Sequence, residues 1–228
     1  GYNTDTPRLG EGVVSLAVPL LNAEKVAVSS LCFVGPESRF TEEKIKCKRI
    51  NLMLVISCIK QVPDTTQVKI DPVTNTLIRD GIPFIMNPYD THALEESLRL
   101  RDEYGVRSVA LSMGPPNAEV TLRKAYAVGV DEAILVSDRC FGGADTLATS
   151  CALSAAIERL SKEEDLAIVF CGKQTIDGDT AQVGPGIASR LGLHQLTLVD
   201  RIEYLDLDQR LIRVRRKLEG RYEIVEAP

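Results

Sequence analysis

Residues 171–185 read CGKQTIDGDTAQVGP, which sets one lysine, two carboxylates, two amides and two hydroxyls among three glycines. That mixture suits a polar, phosphate-bearing ligand. Neither common glycine signature is there, however. Gln174 follows Gly172 and Lys173, so there is no Gly-x-x-x-x-Gly-Lys-Ser/Thr run, and the spacing from Gly178 to Gly184 does not fit Gly-x-Gly-x-x-Gly. Any chemistry here must come from the way the loop meets the elements on either side.

On the N-terminal side, LAIVFCG (166–172) is a continuous apolar run, the mark of a strand buried on both faces. On the other side, AQVGPGIASRLG (181–192) predicts a helix ending at Gly192. The first N–H groups of that helix, from Ala181 to Gly184, lack intrahelical acceptors and form an anion site. Thr180 adds a hydroxyl donor and Gln182 an amide, and Gly184, lacking a Cβ, lets a phosphate approach the backbone. Gly178, Ala181 and Val183 keep the loop small. Asp177 and Asp179 repel phosphate and suit ribose hydroxyls or a helix cap. The plainer alternative is an ordinary helix start with Asp179 or Thr180 as N-cap.

The same strand–helix alternation runs back through the chain. LMLVISCI (52–59), SVALSM (108–113) and EAILVSD (132–138) read as buried strands. THALEESLRLRDEY predicts an amphipathic helix with Asp90 or Thr91 as N-cap, AEVTLRKAYAVG (118–129) a helix closed by Gly129, and TLATSCALSAAIERL (146–160) an alanine-rich helix. Pro63-Asp64 and Asp71-Pro72 mark turns around a short β excursion, VKI then TLI. Four such units imply an α/β class with a parallel, Rossmann-like sheet covered on both faces. After Leu193 the pattern becomes polar–apolar alternation with tight turns at 207–209 and Glu219-Gly220, which predicts a C-terminal antiparallel hairpin extension.

Residues 1–50 differ. Two loosely apolar stretches, 13–21 and 26–34, precede a mixed-charge patch (Glu42, Glu43, Lys44, Lys46, Lys48, Arg49) and carry no motif, so an extension of unknown role that packs weakly or is partly disordered is expected there. The chain starts with Gly1 and stops at Pro228 in mid-pattern, like a fragment or a processed product.

With 228 residues, 44% of them hydrophobic, the chain can bury one substantial core. A net charge of −5 without a Lys/Arg run argues against nucleic acid. Six dispersed cysteines and two histidines argue against a metal centre or a disulfide framework, and suit buried thiols in a reducing compartment. No apolar run approaches the roughly 20 residues of a membrane span, and no basic segment precedes residues 13–21 to make them a signal peptide.

CIKQVPDTTQVKIDPVTNTLIRDGIPFIMNPYD, SMGPPNAEVTLRKAYAVGVDEAILVSD, GADTLAT and CGKQTIDGDTAQVGP occur in this order at tight spacing. Together they resemble the β subunit of electron transfer flavoprotein, a family that includes the FixA proteins, over about residues 52–228. Family members continue past the position of Pro228 into a further strand and a C-terminal arm, so residues 51–228 read as the β-subunit domain without that arm. The resemblance implies an adenine-nucleotide-hydrolase-like α/β fold and an electron carrier rather than an enzyme. It implies a heterodimer with an α subunit, exchanging electrons with an acyl-CoA or other flavin dehydrogenase and a quinone reductase or similar acceptor. It also implies no direct membrane insertion, and a cytoplasmic location in a bacterium or the mitochondrial matrix in a eukaryote.

The family's adenine-nucleotide site maps onto Cys58, the segment Asn87, Pro88, Tyr89 and Asp90, Met113, and the loop from Asp177 onward. Lys60 and Lys173 each follow a strand end and are candidates to balance phosphate charge. In simpler members the site holds AMP; in electron-bifurcating members it holds a second FAD that accepts hydride from NADH. The small side chains of DGDTAQVGP, and GGADTLATS (142–150), resemble the bifurcating type, which favours FAD over AMP and places Asp145, Thr146 and Thr149 along the flavin wall. Asp145 and Thr146 would cap a helix in either case. By position, KLEGRYEIVEAP resembles a partner-recognition loop with Tyr222 as an exposed anchor, the alternative being cross-strand packing of that ring. Competing functions are a nucleotide-binding sensor or hydrolase on the same fold, although His92 and His194 lie outside the loop, and a scaffold without ligand.

Overall fold

A computed structural model of the protein describes residues 13–21, 27–36, 53–64, 69–70, 77–78 and 83–228, with only the backbone course described for 13–36, 69–70 and 77–78. The strands are β1 (Val13–Leu21), β2 (Ala27–Pro36), β3 (Met53–Cys58), β4 (Gln61–Pro63), β5 (Lys69–Ile70), β6 (Leu77–Ile78), β7 (Phe84–Met86), β8 (Arg107–Met113), β9 (Glu132–Ser137), β10 (Asp165–Cys171), β11 (Val199–Asp206), β12 (Leu211–Leu218) and β13 (Arg221–Ala227). The helices are α1 (Pro88–Tyr104), α2 (Glu119–Val128), α3 (Thr146–Leu160) and α4 (Val183–Leu191).

Six strands form the main sheet in the order β1-β2-β9-β8-β3-β10. The inner run β9-β8-β3-β10 is parallel throughout. Its apolar strands need cover on both faces. Leu54, Ile56, Val109, Leu111 and Ile134 meet Leu153, Ile157 and Ile187 from α3 and α4 on one face. Ala110, Ala133 and Leu135 meet Leu94 of α1 and Leu122 and Ala125 of α2 on the other. β11, β12 and β13 form a separate antiparallel sheet whose Leu205 packs with Val55 and Leu100. The four-unit parallel sheet and the C-terminal antiparallel extension are both as expected, the extension having three strands joined by its two tight turns.

Three sequence expectations change. The first is the N-terminal segment. β1 and β2 pair antiparallel, and β2 pairs antiparallel with β9, Ser30 opposite Ser137 through Val34 opposite Ala133, so this backbone joins the main sheet rather than standing as a loose appendage. The second is the start of α1. Pro88 occupies its first turn and Asn87 is the N-cap, not Asp90 or Thr91. Proline fits there because its fixed φ is already helical and the missing N–H is one the helix would not bond anyway. The third is α4, which begins at Val183 with Gln182 as N-cap rather than Asp179 or Thr180. Thr175 and Gly178 form a bridge, the Thr180 N–H bonds the Gly178 carbonyl, and Ala181 takes a left-handed φ of 54°. A turn of that hand cannot propagate as a right-handed helix, so α4 starts only beyond it. The Asp71-Pro72 turn and the charged patch at 42–49 lie outside the described residues.

Candidate functional site

In the parallel part of the sheet the chain runs from β3 outward through β8 to β9, then returns to place β10 on the other side of β3. The strand order therefore reverses between β3 and β10, and the crevice outside the carboxyl ends of those strands is where open α/β sheets bind ligands. Cys58 ends β3 and Cys171 ends β10, and they are register partners. A cleft of about 2140 Å³ opens there and extends around the free edge of β10.

Three segments converge on this crevice, tied by polar side chains. Asn87, fully buried, donates from Nδ2 to Asp90 Oδ1 at 2.9 Å and to the Gln174 carbonyl at 2.8 Å, and its Oδ1 accepts from the Ile176 N–H at 3.2 Å. Asp90 Oδ2 accepts from the Lys60 N–H at 2.7 Å, and the Gly172 N–H also points to this carboxylate. Lys60 Nζ lies 2.9 Å from each oxygen of Asp177. The exit of β3, the start of α1 and the loop after β10 are thus one hydrogen-bonded unit.

Burial pushes the Asp90 carboxyl up to about 6, with the hydrogen bonds from Asn87 and Lys60 opposing the rise. Burial acts in the same sense on Asp177, but Lys60 and Thr175 outweigh it and hold that carboxyl below its ordinary range. Gly172 is the residue that permits the close approach. A Cβ there would overlap the Asp90 carboxylate and sit 2.9 Å from the Tyr89 carbonyl carbon. Its place in the loop after β10 was plain from sequence; its neighbours, distant along the chain, were not.

The other end of the crevice is shaped by the start of α4. Gly186 N–H bonds the Gln182 carbonyl, and Pro185 has no N–H, so Val183 and Gly184 carry the helix's first free donors. The space a Cβ of Gly184 would take lies against Cys171, 3.3 Å from its Cβ. Glycine is needed here for packing of α4 on β10, and what Gly184 offers a ligand is its N–H. Thr146 Oγ1 donates to Gln182 Oε1 at 2.8 Å, which ties the starts of α3 and α4 together. Asp145 accepts from the Ala148 N–H at 2.8 Å, the N-cap expected from sequence.

Most of the candidate residues share this cleft. Cys58, Lys60, Tyr89, Asp90, Met113, Asp145, Thr146, Thr149, Lys173, Gly178, Thr180, Ala181, Gln182, Val183 and Gly184 all line it. Asn87, Pro88, Asp177 and Asp179 do not; Asn87 and Asp177 stand behind it as ties, and Asp179 accepts from Gln174 Nε2 at 3.0 Å. The Asn87 side chain is wholly engaged by the protein's own loops, and the Cys58 side chain lies in the core. Tyr222 is elsewhere, on β13, 58% exposed with the Arg215 guanidinium 4.8 Å from its ring centroid. Arg139, in the loop after β9, was missed. It lines the cleft and, like Lys173, makes no ion pair among the described residues. Its position directly after a parallel strand was the available signal.

The crevice thus gathers small loop residues, the free N–H groups at the start of α4 and the cations Lys173 and Arg139. Residues 74–228 match the family described as Electron transfer flavoprotein domain. This chain belongs to that family. Protein FixA of Azotobacter vinelandii is 54% identical over 171 residues, covering 75% of this chain and 61% of that relative. Electron transfer flavoprotein subunit beta of Clostridium acetobutylicum is 52% identical over 174 residues, covering 76% and 64%. The subunit of the same name from Thermoanaerobacterium thermosaccharolyticum is 54% identical over 174 residues. The chain thus spans about three fifths of the length of the curated relatives it matches. Within this electron transfer flavoprotein domain no described helix is long and apolar enough to cross a membrane, and no described cluster of His, Cys, Asp and Glu is suited to a metal ion.

Proposed function

We propose that this chain is the β subunit of a heterodimeric electron transfer flavoprotein and holds an adenine nucleotide, FAD, in the crevice between β3 and β10. The observation that carries this reading is the strand reversal at β3/β10, with the free N–H groups of Val183 and Gly184 at its edge. Those donors suit a phosphate oxygen, and Lys173 and Arg139 add positive charge along the same cleft. Gly142, Gly143 and Ala144 leave room along the wall beside Asp145, Thr146 and Thr149, which suits a dinucleotide longer than AMP. A bound flavin supplies one- and two-electron redox chemistry. The protein's own residues bind and orient it: Val183 and Gly184 hold phosphate, and the Asn87–Asp90 tie fixes the loop that closes over it.

The α subunit, a flavin dehydrogenase and a quinone reductase or similar acceptor are the proposed partners, and hydride transfer from NADH belongs to the FAD form alone. The test is to denature the purified αβ complex and identify the released nucleotides by chromatography. Two FAD per heterodimer support this reading. One FAD with one AMP supports the shorter ligand, and no nucleotide beyond the α-subunit flavin rejects both.

A further inference from the structure

Cys58 and Cys171 are the terminal residues of two adjacent parallel strands and face each other in register. Register partners point to the same side of a sheet, and here Cys58 belongs to the core cluster beneath α3 and α4 while Cys171 packs against it. The neighbouring Cys171 thiol and burial together raise the Cys58 thiol well above its ordinary range. Neighbouring strands lie about 4.8 Å apart, which falls within the roughly 4.4–6.8 Å Cα separation that a disulfide accepts. Both residues line the cleft, Cys58 at 8% exposure and Cys171 half-buried, so a small oxidant entering the crevice meets Cys171 first. Neither thiol is used by the Asn87, Asp90, Lys60 and Asp177 ties.

We propose that Cys58 and Cys171 are a redox modification site, closing reversibly to a disulfide under the nucleotide cradle when a peroxide enters the cleft. The Cys171 thiolate attacks a peroxide oxygen, forming an S–O bond, breaking the O–O bond and releasing water after protonation. The Cys58 sulfur then gives up its proton and attacks the Cys171 sulfur, expelling a second water. Two thiols are oxidised by two electrons to one disulfide and one hydrogen peroxide is reduced to two waters. A dithiol such as dithiothreitol reverses the bond. Because the Cys171 side chain fills the space beside Gly184, drawing its sulfur toward Cys58 moves the support beneath the first turn of α4, and nucleotide retention changes with it. This last consequence rests on the proposed nucleotide site; the disulfide itself does not.

The experiment uses the αβ complex with Cys32→Ser, Cys47→Ser, Cys140→Ser and Cys151→Ser, which leaves Cys58 and Cys171 as the two thiols of this chain. After hydrogen peroxide treatment, alkylation and unreduced proteolysis, mass spectrometry should find the peptide pair joined through Cys58 and Cys171, with loss of two alkylatable thiols. Adding Cys58→Ser should replace the cross-link by Cys171 carrying sulfinic acid. The proposal is overturned if Cys171 is over-oxidised while Cys58 stays alkylatable, or if neither reacts. Oxidised complex should lose bound nucleotide on gel filtration and regain it after dithiothreitol. A cross-link with unchanged nucleotide content overturns the coupling. A cross-link in a protein that holds no nucleotide when reduced leaves the redox pair standing and rejects the proposed function.

Discussion

Lys60 Nζ closes a two-point ion pair on Asp177, 2.9 Å to each carboxylate oxygen, and so joins the exit of β3 to the loop after β10. A lysine held in this way is a structural tie with its charge already compensated. Lys173, which follows β10 directly, makes no ion pair among the described residues and faces the same cleft. Lys173→Gln should therefore weaken binding of the phosphate-bearing ligand more than Lys60→Gln does, and the larger salt dependence should disappear with Lys173. Titrating ligand into the two variants at low and high salt checks this, and equal losses would contradict the assignment. Because the Lys60–Asp177 pair is largely exposed, Asp177→Asn should change stability by less than about 1 kcal/mol.

Gly172 has the tightest surroundings of any described glycine, with Asp90 and the Tyr89 backbone where a side chain would go. Gly172→Ala forces the loop after β10 away from α1, and overpacking of this kind costs roughly 1–3 kcal/mol. Denaturant unfolding should show that loss, accompanied by lower nucleotide content. A variant as stable as the parent would mean that the loop relocates without strain.

Asp90 carries the pH dependence. Its carboxyl rises from 3.8 to about 6 on folding because it is buried. The folded state then holds its proton more tightly than the unfolded state, so this residue's contribution is most favourable below its unfolded value and declines as pH rises through about 6. The range amounts to about 3 kcal/mol. Asp177, with its carboxyl lowered, works in the opposite sense and loses its contribution at acid pH. Subtracting the stability of Asp90→Asn from that of the parent isolates the first effect. The difference should fall as pH rises from roughly 4 to 7, and a flat difference would show that the carboxylate is not desolvated as the structure implies.

Asn87 makes three hydrogen bonds to residues close in space, two of them to the loop at Gln174 and Ile176. Asn87→Ala leaves the Gln174 carbonyl and the Ile176 N–H without these partners, at about 1–3 kcal/mol for each group left unpaired. Amide exchange at Ile176 should accelerate in the variant, and nucleotide retention should drop. Unchanged exchange would place the loop's order elsewhere.

Much of the architecture was written locally. Continuous apolar runs ending in Cys58, Met113 and Cys171 announced buried parallel strands, and Asp145 ahead of an alanine-rich helix announced a capped helix start; both patterns act through near neighbours in the chain. Helix starts were harder. α4 waits for the left-handed turn at Ala181, and α1 starts at Pro88 because a proline is tolerated in a first turn.

The sequence by itself determined the order of strands and helices, the polar loop at 171–185 and the small residues around it, because periodicity and turn chemistry depend on short spans of chain. Only the tertiary structure decided what each polar group faces. Asn87 meets Gln174 and Ile176, Lys60 meets Asp177, and Cys58 meets Cys171 across separations of roughly ninety residues or more. No local pattern encodes such pairs. They exist because the strand order reverses between β3 and β10 and brings distant strand ends to one crevice, where burial then sets which groups pair with one another and which are left to meet a ligand.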